Sequence, residues 1–413
     1  MKRSIKPSRV SGTVVAPPSK SVAQRAIAMA SMAFGQSNII SVGGSDDVLA
    51  AISVCKALGA DIKQQPDGLL INGGLKAPIA PLNLGESGLS VRMFSSIAAT
   101  LGHEVVLTGH GSLLNRPMDI VEKSLSPLCD YCNTNNGKLP IVVKGPLKGG
   151  EVEIDGSISS QVLTGMLIAS PYAQKDTIIH VDNLQSRPYI DITIGMMRYF
   201  DVEVENINYQ EFRIKAGQKY QSKTYSVEGD WSGAAFLLVA GAIAGNVIVK
   251  NIQISSSQAD RAIVDALFYA GAKVSIYENH LEVNSHNLNA FHFDATHCPD
   301  LFPPLVALAA HCEGESRILG VSRLRVKESD RAATLMTEFS KMGLDIRVEG
   351  ELMIIKGSKP SGASVLSHGD HRIAMATATA ALAGNSTVEI DGAECVAKSY
   401  PEFFKDIGKL TTT

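Results

Sequence analysis

Apolar residues recur at helical spacing in one stretch after another of this chain. In 332–342 the residues Leu335, Phe339 and Met342 share a face, and Gly343 follows as a helix stop. The stretch 231–249 is uncharged but broken at Gly245-Asn246, which predicts a buried helix followed by a strand rather than a membrane span. Helix starts fall into two interleaved series. The first opens near Val22, Gly88, Ser160, Trp231, Leu301 and His371, at separations of 66, 72, 71, 70 and 70 residues. The second opens near Asp46, Pro117, Pro188, Gln258, Asp330 and Pro401, at separations of 71, 71, 70, 72 and 71. Second-series helices are followed by a stop and two short strand-like stretches parted by a turn, as in 58–62 with 68–71, 200–204 with 212–214, 270–274 with 280–283, and 342–346 with 352–355. Each repeat therefore reads β-α-β-α-β-β over about 70 residues, beyond the roughly 20–50 residues of solenoid repeats.

The sixth repeat ends too soon for its strand pair. Ser4-Ile5-Lys6-Pro7 and Gly12-Thr13-Val14-Val15, ahead of the first helix, belong to no repeat of their own. Assigning them to the sixth repeat gives an α/β protein of two domains of three repeats each. One domain is 1–16 plus 227–413, the other the inserted 17–226, and two crossover segments near Pro17 and Val227 join them. Paired connections of this kind form a hinge for a cleft that closes on ligand.

Composition narrows the function classes. The 413 residues are 45% hydrophobic with a net charge of -3, enough for real cores and unlike a general nucleic-acid or membrane binder. The basic start Met1-Lys2-Arg3 is followed by no apolar segment of a signal peptide, so a cytoplasmic location is expected. Six cysteines are then reduced thiols. Cys129 and Cys132 form a C-x-x-C without a second pair, and His297-Cys298 with His311-Cys312 lacks zinc spacing, so no metal is expected.

Charge is concentrated at the helix starts. Lys20, Arg116, Lys327, Arg331, Arg372 and Lys398 all sit there, although the helix dipole favours cations at the opposite end. Any one of them taken alone is a solvated charge beside a cap. Together they call for a bound polyanion. Ser21 and Gln24 have capping-box spacing, and Gly88 lets a ligand approach the backbone, but no P-loop lysine follows. Ser159, Ser160, Gln161, Ser186 and Tyr189 add hydrogen-bonding groups at other starts. Asp300 follows Pro299 at one of these starts, and Glu328, set among cations, is out of place there unless it has a job.

In order, Pro18-Ser19-Lys20-Ser21 with Arg25, Leu84-Gly85-x-Ser87-Gly88, Arg116-Pro117, Ser159-Ser160-Gln161, Ser186-x-Pro188-Tyr189-Ile190-Asp191, Pro299-Asp300, Arg325-Val326-Lys327-Glu328-Ser329-Asp330-Arg331, Asp370-His371-Arg372-Ile373-Ala374-Met375 and Ala397-Lys398 span nearly the whole chain. This series resembles the 5-enolpyruvylshikimate-3-phosphate synthases. The resemblance implies an inverse α/β barrel in each domain and a site in the cleft between them. It implies transfer of enolpyruvyl from phosphoenolpyruvate to the 5-hydroxyl of shikimate 3-phosphate, with phosphate released and no cofactor or metal, by a monomer that binds neither nucleic acid nor membrane. It assigns shikimate 3-phosphate to Lys20, Ser21, Arg25, Ser159, Ser160, Gln161, Ser186, Tyr189, Asp300 and Lys327. It assigns phosphoenolpyruvate to Lys20, Gly88, Arg116, Gln161, Arg331, Arg372 and Lys398, and catalysis to Asp300, Glu328, Lys327 and Lys20. Departures from the family pattern are Glu86 for Asn, Leu89, Ser90 and Met93 for Thr, Ala and Pro, and Arg323 for Asn. A sister family acting on UDP-N-acetylglucosamine usually carries a cysteine before its Arg-Pro, where this chain reads Gly109-His110-Gly111-Ser112-Leu113-Leu114-Asn115. A catalytically dead anion-binding protein of the same fold is the alternative from another class.

Overall fold

A computed structural model describes residues 1–157, 160–325 and 327–411. The chain divides into two compact units, Met1–Pro17 with Glu228–Thr413, and Pro18–Val227. Among the described residues each unit contains three sheets. In Pro18–Val227, the hairpin Asp61–Gln65 and Gly68–Asn72 pairs antiparallel to Gln36–Ile40, which pairs in parallel with Thr224–Ser226. The next two sheets repeat the plan, one around Glu104–Thr108 and the other around Thr177–Asp182. In the other unit, Gly245–Lys250 and Glu315–Leu319 occupy the corresponding positions. The sequence period thus corresponds to one mixed sheet per repeat.

The N-terminal strands part company instead of forming one pair. Lys2–Ile5 runs antiparallel to Val388–Asp391, taking the place of a hairpin strand in the sixth repeat. Val10–Val15 goes to the fourth repeat, parallel to Gly245–Lys250 along its whole length. The expected strand pair for repeat six is therefore corrected to one strand, because the 6–9 segment carries the chain between sheets rather than turning it back.

First-series helices are buried on every side. Every residue of Gly88–Ala99 and of His371–Ala381 lies in the interior, as does nearly all of Trp231–Ala244. Their Ala, Gly and Ser content lets them approach closely, while the sheets outside them alternate, as in Lys138–Lys144. Helices inside and sheets outside make each unit an inverse barrel. Second-series helices have one wet face, and Gly343 closes Arg331–Lys341 at φ +83°.

Three local expectations change. The start near Pro117 becomes Asp119–Leu125, and the start near Gln258 becomes a 3-10 turn, Ala259–Ala262, before Ile263–Tyr269. The expected strand at 200–204 is delayed to Glu205–Ile207, since Phe200 still caps the preceding helix and Asp201 turns the chain at φ +63°.

Candidate active site

In the unit holding the C-terminus, groups from three helix starts converge on Arg331. This guanidinium is fully buried at the first residue of its helix, where the dipole opposes it. Three carboxylates offset that cost. Asp370 accepts from Nε at 2.9 Å and from Nη2 at 3.3 Å, Asp300 accepts from Nη1 at 2.9 Å, and Glu328 accepts from Nη2 at 2.7 Å. Burial works against the cation, but Asp370, Glu328 and Asp300 outweigh it and raise its pKa above the usual arginine value.

Asp300 also gathers Arg372 and Lys327. Its second oxygen accepts from Arg372 Nη2 at 2.9 Å, and Lys327 Nζ lies 3.5 Å from the first. Burial pushes its carboxyl up, yet Arg372, Lys327 and Arg331 hold it well below the usual carboxylate range. Burial lowers the Lys327 ammonium, with Asp300 opposing. Glu328 is nearly buried and stands 3.9 Å from Lys398 Nζ, which closes the cluster. Asp370 is itself fixed as the cap of His371–Ala381 through the Arg372 N–H at 2.9 Å, and it accepts from Ser329 Oγ at 3.1 Å. The cap of Arg331–Lys341 is Asp330, accepting from Ala333 N–H, and Ser329 does not serve there.

In the unit Pro18–Val227 the donors gather in three linked groups. Lys20 Nζ pairs with Asp47 at 2.8 Å. The capping box expected of Ser21 and Gln24 does not form, because the helix begins at Lys20 and Gln24 is buried inside it. Its amide donates instead to Asp47 O, Ser87 Oγ and Ser90 Oγ at 3.0, 2.7 and 3.1 Å, joining the first and second inner helices. At Gly88 an added Cβ would fall 2.4 Å from Arg116 Nη1 and 3.0 Å from Arg92 Nη1, so two guanidinium groups crowd this backbone. Nε of Arg116 is buried without a hydrogen-bond partner among the described residues. Arg92 donates to Gln161 Oε1 at 2.9 Å, to Gly88 O at 3.2 Å and to Pro117 O at 2.9 Å, tying three functional segments together.

Arg25 lies deeper than a ligand contact requires. It donates to Thr193 Oγ1, Ser21 O, Thr164 Oγ1 and Tyr189 O at 2.9, 2.8, 3.3 and 3.4 Å, and burial lowers its pKa to about 10. Ser186 opens Arg187–Tyr199 in the left-handed region at φ +56°, a conformation that costs a non-glycine residue on the order of 1 kcal/mol. Its carbonyl accepts from Tyr189 N–H, which sets the turn between them. Ser160 begins its inner helix, and Ser159 lies outside the described residues.

Of the expected residues, Asp300, Lys327, Glu328, Arg331, Arg372 and Lys398 form one contact network, and the others that are described lie at or near helix starts of Pro18–Val227. Asp370 and Asp47 were not expected in the site. Each had only a positional signal, lying at or next to a helix start.

A carboxylate-laced cation cluster at buried helix starts is the setting of an enzyme that handles charged substrates. A family model described as EPSP synthase (3-phosphoshikimate 1-carboxyvinyltransferase) matches residues 5–407. A 3-phosphoshikimate 1-carboxyvinyltransferase of Methanocorpusculum labreanum is 40% identical over 99% of this chain and 98% of its own. One from Clostridium kluyveri is 38% identical over 98% of this chain and 96% of its own. The solved EPSP synthase of Acinetobacter baumannii superposes with a TM-score of 0.84 at 29% identity, covering 100% of this chain and 98% of that one. This chain belongs to the EPSP synthase family.

Proposed function

We propose that this chain carries out its family's reaction, enolpyruvyl transfer from phosphoenolpyruvate to the 5-hydroxyl of shikimate 3-phosphate, with the proton work divided between Asp300 and Glu328. Addition needs a proton delivered to the methylene carbon while the hydroxyl loses one, and elimination then removes a proton from the new methyl group. Two proton-handling groups are required. The observation that carries this proposal is that Asp300 and Glu328 take different nitrogens of the one Arg331 guanidinium, at 2.9 and 2.7 Å.

Asp300, paired with Arg331 and Arg372 at 2.9 Å and 3.5 Å from Lys327, takes the hydroxyl proton. Lys327, lowered by burial, is placed to share that step. Glu328, tied to Arg331 and near Lys398, handles the carbon proton. The cations Arg331, Arg372 and Lys398, with Lys20, Gly88, Arg116 and Gln161, take phosphoenolpyruvate and stabilise developing charge. Ser21, Arg25, Ser159, Ser160, Gln161, Ser186 and Tyr189, with Lys20, Asp300 and Lys327, take the shikimate side. Arg25 acts there chiefly by holding Ser21 and Tyr189 in place.

Phosphate release from phosphoenolpyruvate that requires shikimate 3-phosphate tests the activity. A catalytic carboxylate contributes about 10²–10⁴ in rate, so Glu328→Gln lowers turnover by that order. Shikimate 3-phosphate binding stays near normal, and deuterium entry at the methylene carbon in D₂O slows. Normal turnover with normal deuterium incorporation removes Glu328 from this role. Both substrates are multiply charged phosphates that membranes retain where they are made, which favours a cytoplasmic site of action, and light scattering tests the monomer we assign.

A further inference from the structure

We propose that Glu86 is a positioning residue that latches the loop bearing Gly88 to the segment bearing Arg116, and so fixes where that guanidinium meets the anionic end of phosphoenolpyruvate. The proposal rests on the assignment of Arg116 to phosphoenolpyruvate given above. Neither proton transfer nor the cation cluster uses Glu86.

The Glu86 carboxylate accepts from Ser112 N–H at 2.9 Å and from Ser112 Oγ at 2.6 Å, within the 3-10 turn Gly111–Asn115. Gly111 makes the room. It sits at φ +59°, and a Cβ there would fall 2.3, 2.4 and 2.7 Å from the three carboxyl atoms of Glu86. A glycine is thus needed on two counts, conformation and space. Backbone bonds already hold the bases of the two segments together, with Leu84 N–H to Thr108 O at 2.9 Å and His110 N–H to Gly85 O at 3.0 Å. The latch holds them further out, where Arg116 N–H closes the same turn on Leu113 O at 3.2 Å.

The contacts close a ring. From Glu86 the backbone leads to Gly88, whose missing Cβ would meet Arg116 Nη1 at 2.4 Å, and from Arg116 the turn leads back to Ser112 and the carboxylate. Cutting the ring at Glu86 leaves the backbone pairs intact, so Arg116 loses its placement before the loops lose their fold. What Ser112 requires of residue 86 is an acceptor oxygen, which an amide keeps and alanine lacks.

The test compares Glu86→Ala, Glu86→Gln and Arg116→Ala in the full chain, with steady-state KM for each substrate, kcat and melting temperature. Loss of two partly buried hydrogen bonds predicts a roughly tenfold rise in the phosphoenolpyruvate KM of Glu86→Ala, with the shikimate 3-phosphate KM unmoved. Glu86→Gln stays within about threefold of the parent, because its amide oxygen still accepts from Ser112. Arg116→Ala raises the phosphoenolpyruvate KM by at least as much as Glu86→Ala. Three results overturn the latch: an unchanged phosphoenolpyruvate KM in Glu86→Ala, a Glu86→Gln as impaired as Glu86→Ala, or both substrate KM values rising together with a fall in melting temperature. A normal phosphoenolpyruvate KM in Arg116→Ala removes the assignment on which the latch depends, and the latch with it. A strong Arg116→Ala effect beside a silent Glu86→Ala removes the latch alone.

Discussion

At Gly88 the missing methyl group decides the reach of a guanidinium rather than the shape of a backbone. A Cβ would meet Arg116 Nη1 at 2.4 Å and Cζ at 2.8 Å, and both are the far end of a flexible side chain. Gly88→Ala therefore moves Arg116 aside at little cost to folding. Weakening one charge-assisted contact predicts a roughly tenfold rise in the phosphoenolpyruvate KM, and the melting temperature shifts by less than about 2 °C. The same substitution at Gly145 would set Cβ 1.8 Å from Ala99 O, which is backbone and has nowhere to go. Normal phosphoenolpyruvate kinetics in Gly88→Ala would take Arg116 away from that ligand. At this scale the cations were legible in the sequence because their positions contradict the helix dipole. Of their carboxylate partners Asp300 and Glu328 were named but Asp370 was not, and the pairing was not legible. Nothing in local sequence says that Arg331 will be shared by Asp370, Glu328 and Asp300, since that choice is made by which helix starts meet in the fold.

Among the elements, the repeat was legible because each helix start and stop leaves a local mark, and six marks at one period reinforce each other. Expectations failed where competing local signals were close. The 200–204 stretch looked like a strand by alternation, but the helix before it ends in a turn that reaches into it. The paired entry of Val10–Val15 and Lys2–Ile5 failed because sheet partners are a tertiary choice. One link between elements carries a pH dependence. His311, just past Phe302–Ala309, hydrogen-bonds through Nε2 with Ala380 O at 2.9 Å, and burial lowers its pKa to about 4. The folded state therefore binds fewer protons than the unfolded chain between that value and the ordinary 6.5. Its contribution is complete above the unfolded value and is lost as pH falls toward about 4. Between pH 7 and 5 the loss is about 2 kcal/mol. Melts at those two pH values should differ less in His311→Gln than in the parent, and an equal difference would clear His311 of the effect.

On the scale of the whole molecule, two cores share no residue. One is built from Val22 to Val227, and the other joins Val10, Val14 and Ala16 to residues from Trp231 onward. The first unit is therefore continuous in sequence, and the second is completed by the first 17 residues of the chain. Residues 18–227 expressed alone are expected to melt in one cooperative transition. Residues 228–413 alone lack the parallel partner of Gly245–Lys250 and the antiparallel partner of Val388–Asp391, which leaves two sheet edges open. They also lack Val10 and Val14, 1% and 5% exposed in the intact chain. Burying each such side chain stabilises by about 1.5–3 kcal/mol, so the loss is a large part of the roughly 5–15 kcal/mol that holds a domain folded. The fragment 228–413 should accordingly aggregate or melt without cooperativity, and a peptide of residues 1–17 should restore a cooperative melt when added. If 228–413 melts sharply without the peptide, the N-terminal strands are an accessory to that unit and not part of what makes it fold.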